Sequence, residues 1–212
     1  MAHYQFETLA LHAGQSKGGE DPSRGLPVAR TTAYNFRDTE HAANLFSLKE
    51  LGYIYTRLQN PTQNALEERL AALEGGAAAL ALASGTSAVF YSIINLAVAG
   101  DEIVSSKYLY GGTYTMFNNI LPDYGIRVRF VDPLNLEEVE AAINEKTRAV
   151  YIETIGNPTL IVPDFDALAE LSHKHRLPLV ADATFTTPYL FKGIEHGVDI
   201  VVDSLTKWVG GH

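Results

Sequence analysis

The stretch LPLVADATFTTPYLFKGIEHGVDIVVDS, residues 177–204, gives the clearest indication of the fold. Short runs rich in Leu, Val and Ile, typical of buried strands, stand at its two ends as LPLVAD and DIVVDS. The segment between them, ATFTTPYLFKGIEHG, is long enough for one crossover that contains a short helix. The pattern therefore predicts two parallel strands joined by that crossover.

The same alternation of strand and helix patterns runs upstream to about residue 61. Further strands are predicted at ALALAS, DEIVSS, RVRFVD and RAVYIE, and helices at PTQNALEERLAALEGG, SAVFYSIINLAVAG, LNLEEVEAAINEKT and DFDALAELSHKHR. This order indicates an α/β fold, in which helices cover both faces of a mainly parallel sheet. We assign residues 61–212 to that domain and expect its ligand beyond the carboxyl ends of the strands.

Residues 1–60 have a different character. They are rich in Gly and Pro and contain one short helical pattern, around EHAANLFSLKELG. Their many apolar and aromatic side chains argue against a disordered leader. We expect an N-terminal arm that packs on another subunit.

Composition excludes several classes of protein. The chain has 212 residues, 46% of them hydrophobic, which is enough for one domain with a core. A net charge of −9 without a basic cluster argues against a nucleic-acid partner, and no apolar run is long enough for a membrane helix. The absence of cysteine, and an N-terminus without a signal-peptide pattern, favour a cytoplasmic protein.

Two further features concern metals and the chain end. His173 and His175 in SHKH stand two apart on a predicted helix, so they point to different sides and are expected at the surface, not on a metal.

The sequence ends on Gly210-Gly211-His212 with no closing helix or polar tail. We therefore expect that the C-terminal part of the site lies in a further segment or a separate polypeptide.

Two ionisable residues follow the predicted strands quoted first. Asp182 ends LPLVAD, and Lys207 comes shortly after VDIVVDS, so both should reach the same sheet edge. A buried carboxylate is costly unless a positive group meets it. A structural Asp–Lys ion pair and a chemically active lysine both remain open on this ground alone.

Other segments suggest a phosphate site. In S-G-T-S, Gly85 allows a tight turn, and Thr86 and Ser87 open a helix whose first N–H groups suit an anion, although Ser and Thr are also ordinary helix caps. Arg57 in YIYTRLQNPT suits a phosphate, although a surface role is commoner for an arginine in a loop.

The remaining candidates suggest a flat ligand. Tyr110 precedes two glycines, which allow close approach of a ring, although such a pair is also typical of a plain turn. Glu153 and Asn157 follow the predicted strand RAVYIE. An aromatic ring, a phosphate site, a buried carboxylate for a ring nitrogen and a lysine for an aldehyde together indicate pyridoxal phosphate.

Six motifs carry a family resemblance: YTRLQNPT, LASGTSA, YGGT, ETIGNP, DATFTTPYL and DSLTKWVGGH. In this order and spacing they resemble the pyridoxal-phosphate enzymes of cysteine and methionine metabolism, which have fold type I of the aspartate-aminotransferase superfamily. The resemblance covers essentially the whole chain. Within the family, FETLALHAGQ, TTAYNF and EHAANLFSLKELGYIYTR are most similar to O-acetylhomoserine sulfhydrylases.

The resemblance implies pyridoxal 5'-phosphate as the cofactor, with Lys207, Tyr110 and Asp182 as catalytic residues. Lys207 would form the Schiff base, Asp182 would keep the ring nitrogen protonated, and Tyr110 would stack on the ring. Tyr55 and Arg57 would reach the phosphate of a neighbouring subunit, in a homodimer that shares its sites and doubles into a homotetramer. The implied cofactor-binding residues are Tyr55, Arg57, Gly85, Thr86, Tyr110, Asn157, Asp182, Thr184, Ser204, Thr206 and Lys207.

The implied reaction is a γ-replacement that converts O-acetyl-L-homoserine and sulfide, or a thiol, to L-homocysteine, or methionine, and acetate. Cystathionine γ-synthase and methionine γ-lyase activities are the alternatives within the family. A nucleotide-binding domain is disfavoured because the chain has neither G-x-G-x-x-G nor a lysine in the S-G-T-S loop. A catalytically inactive interaction domain is the most distant alternative. The resemblance assigns no arginine of this chain to the substrate carboxylate.

Overall fold

The computed structural model describes residues 4–15 and 24–211. The predicted N-terminal arm is therefore described in part, and His212 of the last motif lies outside the described residues. The chain divides into two compact units, residues 1–81 and 82–212. The arm boundary proposed at residue 60 stays a prediction.

In the described part of the first unit the helices are Phe6–His12 (α1), Thr39–Phe46 (α2) and Pro61–Glu74 (α3). The local signals for α3 are all present in the structure. The Asn60 side chain accepts a hydrogen bond from the Thr62 N–H at 2.9 Å, Pro61 occupies the first turn, and Gly75 ends the helix with a φ of 75°. The helix predicted from this pattern is confirmed.

Helix α1 was not predicted from the sequence. Its N-cap residue, Gln5, makes no side-chain capping bond, and none of its residues is buried. The segment after it is fixed on α3, because Arg69 donates to the Ala13 carbonyl at 2.8 Å. The local sequence signals for α1 are weak, so we infer that tertiary contacts within the first unit stabilise it.

The second unit contains one sheet of five parallel strands in the order β2-β1-β3-β4-β5. The strand bounds are Glu102–Ser106 (β1), Arg127–Val131 (β2), Thr147–Glu153 (β3), Leu179–Asp182 (β4) and Ile200–Val202 (β5). Each of them lies within a predicted strand segment, except that β3 begins one residue earlier, at Thr147, so the parallel α/β fold is confirmed. Its α-helices are Gly85–Leu96 (α4), Gly111–Thr115 (α5), Leu136–Ala142 (α6), Phe165–Lys174 (α7) and Thr187–Leu190 (α8). A π-helical turn, Met116–Ile120, and two 3₁₀ turns, Leu121–Tyr124 and Gly193–His196, complete the regular structure.

The core of this unit lies on both faces of the sheet. Alternate residues of β3 enter two different clusters: Ala149 and Tyr151 pack in one, and Val150 and Ile152 in the other. Because side chains alternate along a strand, the two clusters occupy opposite faces. None of the described helices combines the length and apolar character needed to cross a bilayer.

The strand predicted at ALALAS, residues 79–84, is wrong. The segment has no strand structure, and the Ala81 N–H donates to the Glu67 carboxylate at 2.8 Å instead of to a ladder partner. An apolar run becomes a strand only where another strand pairs with it, and the sheet of the described residues ends at β5. The apolar pattern alone could not reveal that.

A buried carboxylate joins three segments at the amino ends of the strands. Glu102, 5% exposed, accepts hydrogen bonds from Arg129 Nε at 2.5 Å and from Asn144 Nδ2 at 2.7 Å. The Arg129 hydrogen bond is the main reason that the pKa of Glu102 falls from 4.5 to about 2. The charged form of Glu102 therefore stabilises the fold.

Glu102→Gln should lower the thermal unfolding midpoint at pH 7, by an equivalent of about 1 to 2 kcal/mol, because the amide cannot replace the charged partner of Arg129. The folded-state pKa is depressed, so this stabilisation is complete above about pH 4.5 and is lost as the pH falls towards 2. The difference between variant and wild type should shrink over that interval in thermal unfolding followed by circular dichroism. Glu145→Gln, at an exposed position, is the control and should have no such effect. A difference that is constant with pH would contradict this assignment.

Candidate active site

Four neighbouring strands bring candidate residues to one edge of the sheet. Glu153 and Asp182 are the last residues of β3 and β4, and they are paired in register. Directly paired residues of parallel strands face the same side, so the two carboxylates lie on one face. Tyr110 follows β1, and Lys207 lies in the turn after β5, where its N–H donates to the Ser204 carbonyl at 3.0 Å.

Asp182 has an environment that suits a proton-donating partner. Burial raises the pKa of this carboxyl, and hydrogen bonds from Thr184 oppose the shift. Oδ1 accepts the Thr184 N–H at 2.9 Å, and the Tyr151 hydroxyl lies 3.4 Å from Oδ2. Among the ion pairs of the described residues none joins Asp182 to Lys207, so the structural Asp–Lys pair left open above is not formed there. A cationic N–H of a bound ligand would favour the carboxylate form of Asp182.

Glu153 connects two loops that carry candidate residues. It is 6% exposed, and its Oε1 accepts the Tyr110 N–H at 2.6 Å. Burial raises its pKa to about 8, while hydrogen bonds from the backbone of Tyr110 and Asn157 act in the opposite direction. The loop after β1 and the loop after β3 are therefore both attached to one side chain.

The start of α4 lies against the turn after β5. The helix begins at Gly85, with Ser84 as its N-cap, one residue earlier than predicted. A Cβ at Gly85 would lie 2.5 Å from the Ser204 Cβ, and the Ser204 N–H donates to the Thr184 hydroxyl at 2.8 Å. The first turn of α4, which includes Thr86, therefore lies next to the Ser204 turn. The N–H groups of this helix turn are suited to binding a phosphate there.

Other predicted ligand contacts face solvent. Tyr110 is 53% exposed, and its ring passes so close to Gly112 that a Cβ there would lie 2.6 Å from Cε1. Thr206 and Asn157 are exposed as well. The Tyr110 ring is accordingly available for stacking, as the pyridoxal interpretation requires.

Tyr55 and Arg57 belong to the first unit. The Arg57 guanidinium lies 5.3 Å from the centre of the Tyr55 ring, and Arg57 is exposed. This geometry is a cation–π contact. Their predicted contact with the phosphate of a neighbouring subunit stays a prediction.

The two histidines of SHKH each lie beside a carboxylate. His173 Nε2 lies 2.9 Å from Asp199 Oδ2, and His175 Nε2 lies 2.9 Å from Glu140 Oε1. Across residues 4–15 and 24–211, no group of three or more acidic or histidine side chains could hold a metal.

Asp203 is a partly buried acid that the sequence interpretation missed. Its Oδ1 is inaccessible to solvent and has no hydrogen-bond partner, and burial with repulsion from Asp182 raises its pKa to about 6. The available signal was its place directly after VDIVV, next to Ser204. β3, β4 and β5 thus each bring one acid, Glu153, Asp182 or Asp203, to this edge.

This geometry agrees with comparisons of the sequence. Residues 7–212 match the family model described as Cys/Met metabolism PLP-dependent enzyme. The homocysteine synthase of Schizosaccharomyces pombe is 52% identical over 208 residues, which are 98% of this chain and 48% of that protein. The O-acetyl-L-homoserine sulfhydrylase of Leptospira meyeri is 51% identical over 210 residues, 99% of this chain and 48% of that one. The chain therefore spans about half the length of the curated relatives it matches.

Solved structures give the same result. A crystal structure described as an O-acetylhomoserine (thiol)-lyase of Campylobacter jejuni superposes with a TM-score of 0.95 at 40% identity, over 99% of this chain and 52% of that one. It contains a pyridoxyl-lysine monophosphate residue. A cystathionine gamma-lyase of Lactobacillus plantarum superposes with a TM-score of 0.90 at 35% identity, with the same coverage. The fold is thus shared by enzymes with different reactions.

Gly85→Ala should lower the thermal unfolding midpoint, although alanine is the better helix former, because its Cβ would collide with Ser204. Gly111→Ala is the matched control, since Gly111 is also the first residue of a helix and a Cβ there meets nothing within 4 Å. Thermal unfolding followed by circular dichroism separates the two. Equal stability of both variants would show that α4 and the Ser204 turn are not in tight contact.

Proposed function

The chain belongs to the Cys/Met metabolism PLP-dependent enzymes, and we propose that it forms the cofactor-binding part of an O-acetyl-L-homoserine sulfhydrylase. Such an enzyme converts O-acetyl-L-homoserine and sulfide to L-homocysteine and acetate. The observation that carries this proposal is the roughly half-identical sequence, over nearly the whole chain, shared with enzymes named for that reaction. The arrangement of buried acids and a lysine at one sheet edge supports it.

The described residues fit pyridoxal phosphate. Gly85 and Thr86 would hold the phosphate through backbone N–H groups, with the hydroxyls of Ser204 and Thr206 beside them. The close approach of Gly85 to Ser204 supports this part of the assignment, because it brings both sets of donors together. When bound, the cofactor supplies a covalent attachment for the amino acid and an acceptor for the electrons of its α-carbon.

The charge and the position of the cofactor ring would be determined by four residues: Asp182, Tyr110, Asn157 and Thr184. Asp182 would accept a hydrogen bond from the ring nitrogen and keep that nitrogen protonated, a role supported by the hydrogen bonds that already orient it. Thr184 would hold Asp182 through its N–H and the Ser204 turn through its hydroxyl. Tyr110 would cover one ring face, and Asn157 would lie near the ring hydroxyl.

Lys207 would move protons at the substrate carbons. Its amine would remove a proton from the α-carbon and then serve the β-carbon, which requires a long and flexible side chain. The exposure of Lys207, in a turn after β5, leaves its side chain that freedom. Over the whole reaction, the bond from the γ-carbon to the acetate oxygen breaks, and a bond from the γ-carbon to sulfur forms. The acetate leaves as an anion, and hydrosulfide supplies the sulfur.

We also propose that the working enzyme is a homodimer that shares its sites and assembles into a homotetramer in the cytoplasm. Tyr55 and Arg57 of one subunit would bind the phosphate held by the other. Large apolar side chains exposed in the first unit support a subunit contact, and the absence of cysteine suits a reducing compartment. These exposed side chains are Phe46, Leu48, Leu51 and Leu58.

A cystathionine γ-synthase is the second candidate. The observation in its favour is the TM-score of 0.90 to an enzyme with another name, the cystathionine gamma-lyase of Lactobacillus plantarum, which is close to the 0.95 of the O-acetylhomoserine (thiol)-lyase. The residues assigned above would serve both reactions, and a methionine γ-lyase as well. The reactions differ in what attacks the γ-carbon, or in whether anything does.

Lys207→Ala should abolish turnover, by about 10²-fold to 10⁴-fold or more, because its amine is the group assigned to move the α-proton. In the wild-type holoenzyme, borohydride reduction should fix the cofactor to Lys207, as mass spectrometry of peptides would show. Lys146→Ala, at an exposed position beside the amino end of β3, should keep both properties. Full activity of Lys207→Ala, or labelling of a different lysine, would refute the assignment.

With O-acetyl-L-homoserine as the common substrate, sulfide should give homocysteine with a kcat/KM at least about tenfold above that of cysteine. Products are measured by liquid chromatography and mass spectrometry. Mainly cystathionine from the cysteine reaction would favour the second candidate, and release of a thiol from methionine would favour the lyase. A protein that binds no cofactor and turns over none of these substrates would fit only an interaction domain.

A further inference from the structure

Glu153 is a buried carboxylate to which the mechanism above assigns no step. It ends β3, the strand between β1 and β4, and is paired in register with Asp182. At 6% exposure it has lost most of its contact with water. Such a group costs several kcal/mol to bury unless it is well hydrogen-bonded, so its location requires an explanation.

Its carboxyl group faces main-chain groups of two loops. Oε1 accepts the N–H of Tyr110, which is 43 residues away, at 2.6 Å, and the backbone of Asn157 lies near enough to lower the pKa of the carboxyl group. No helix or strand includes Asn157, and Tyr110 stands just before the short helix α5. Both segments are therefore attached to the sheet at a point beside the paired residue, Asp182.

The position of the Tyr110 ring depends on this backbone contact. The ring is about half exposed, and its close packing is against Gly112 two residues away. The contact with Gly112 travels with the loop, whereas the bond to Glu153 links the loop to β3. A change of the Glu153 side chain should therefore move ring and loop together.

We propose that Glu153 is a positioning residue that sets the places of Tyr110 and Asn157 relative to Asp182 at the sheet edge. It does not touch the reacting atoms; it acts through the two residues that would contact the cofactor. The inference rests on the proposed function for its kinetic consequence, while the loop attachment itself can be measured without cofactor.

The first test uses amide hydrogen exchange in the full-length protein without cofactor. Glu153→Leu removes both acceptor oxygens, and Glu153→Gln keeps one. Exchange of the Tyr110 amide should be about tenfold faster in Glu153→Leu than in wild type, and intermediate in Glu153→Gln. The matched control is Glu102→Gln, a buried glutamate in β1 at the opposite end of the sheet, which should leave the Tyr110 amide unchanged.

The second test uses the holoenzyme at saturating pyridoxal phosphate. The visible circular dichroism of the bound cofactor should change in both Glu153 variants, and kcat should fall by about 10-fold in Glu153→Gln and 10²-fold in Glu153→Leu, with little change in KM. Glu102→Gln should lose stability but keep the dichroism and kcat of wild type. This contrast separates a positioning role from a general loss of stability.

Unchanged exchange of the Tyr110 amide in Glu153→Leu would overturn the proposal. So would faster exchange accompanied by dichroism and kcat equal to those of Glu102→Gln, because the attachment would then not position the site. If the exchange and dichroism results are as expected but wild type makes no homocysteine, the positioning role stands and the sulfhydrylase assignment fails.

Discussion

The in-register pairing of Glu153 with Asp182 is the contact on which the rest of the site depends. Parallel strands send all their carboxyl ends to one edge, so two acids that end neighbouring strands must lie side by side. Repulsion from Asp182 adds to the effect of burial in raising the pKa of Glu153, and burial raises the pKa of the partly buried Asp182 as well. The surrounding loops reduce the cost of charging both acids by turning their N–H groups inward, and in doing so they take up fixed places around the edge.

Charge at this edge is unbalanced in the protein alone. Repulsion from Asp182 acts on both Glu153 and Asp203, and Asp203 retains a buried oxygen without a hydrogen-bond partner. Low exposure makes such repulsion stronger than it would be in water. A ligand that brings a cationic ring nitrogen would relieve this repulsion, so these acids would favour a cofactor of the proposed kind.

Much of the fold could be predicted, and the failures have a common cause. The five strands follow from runs of Val and Ile, and α3 follows from Asn60, Pro61 and Gly75, because these signals act within a few residues. The strand expected at 79–84 fails because a strand also needs a neighbour, which apolar composition does not encode. Helix α1 was not foreseen, since it lacks a side-chain cap. Helix caps and apolar runs, which act within a few residues, could be recognised in the sequence, whereas pairing between distant segments could not.

The candidate site shows the same division. The strand–crossover–strand pattern was enough to predict Asp182 and Lys207 at one edge of the sheet. The hydrogen bond from Tyr110 to Glu153 joins residues 43 positions apart, and neither motif indicates it. This has a consequence for engineering and for divergence among related enzymes. The segment around Tyr110 cannot be exchanged on its own, because the acceptor of its backbone hydrogen bond, Glu153, lies at the end of β3. A chimaera that takes the Tyr110 segment from one enzyme and the end of β3 from another would combine a hydrogen-bond donor and an acceptor that are not matched. The two segments should therefore be transferred together.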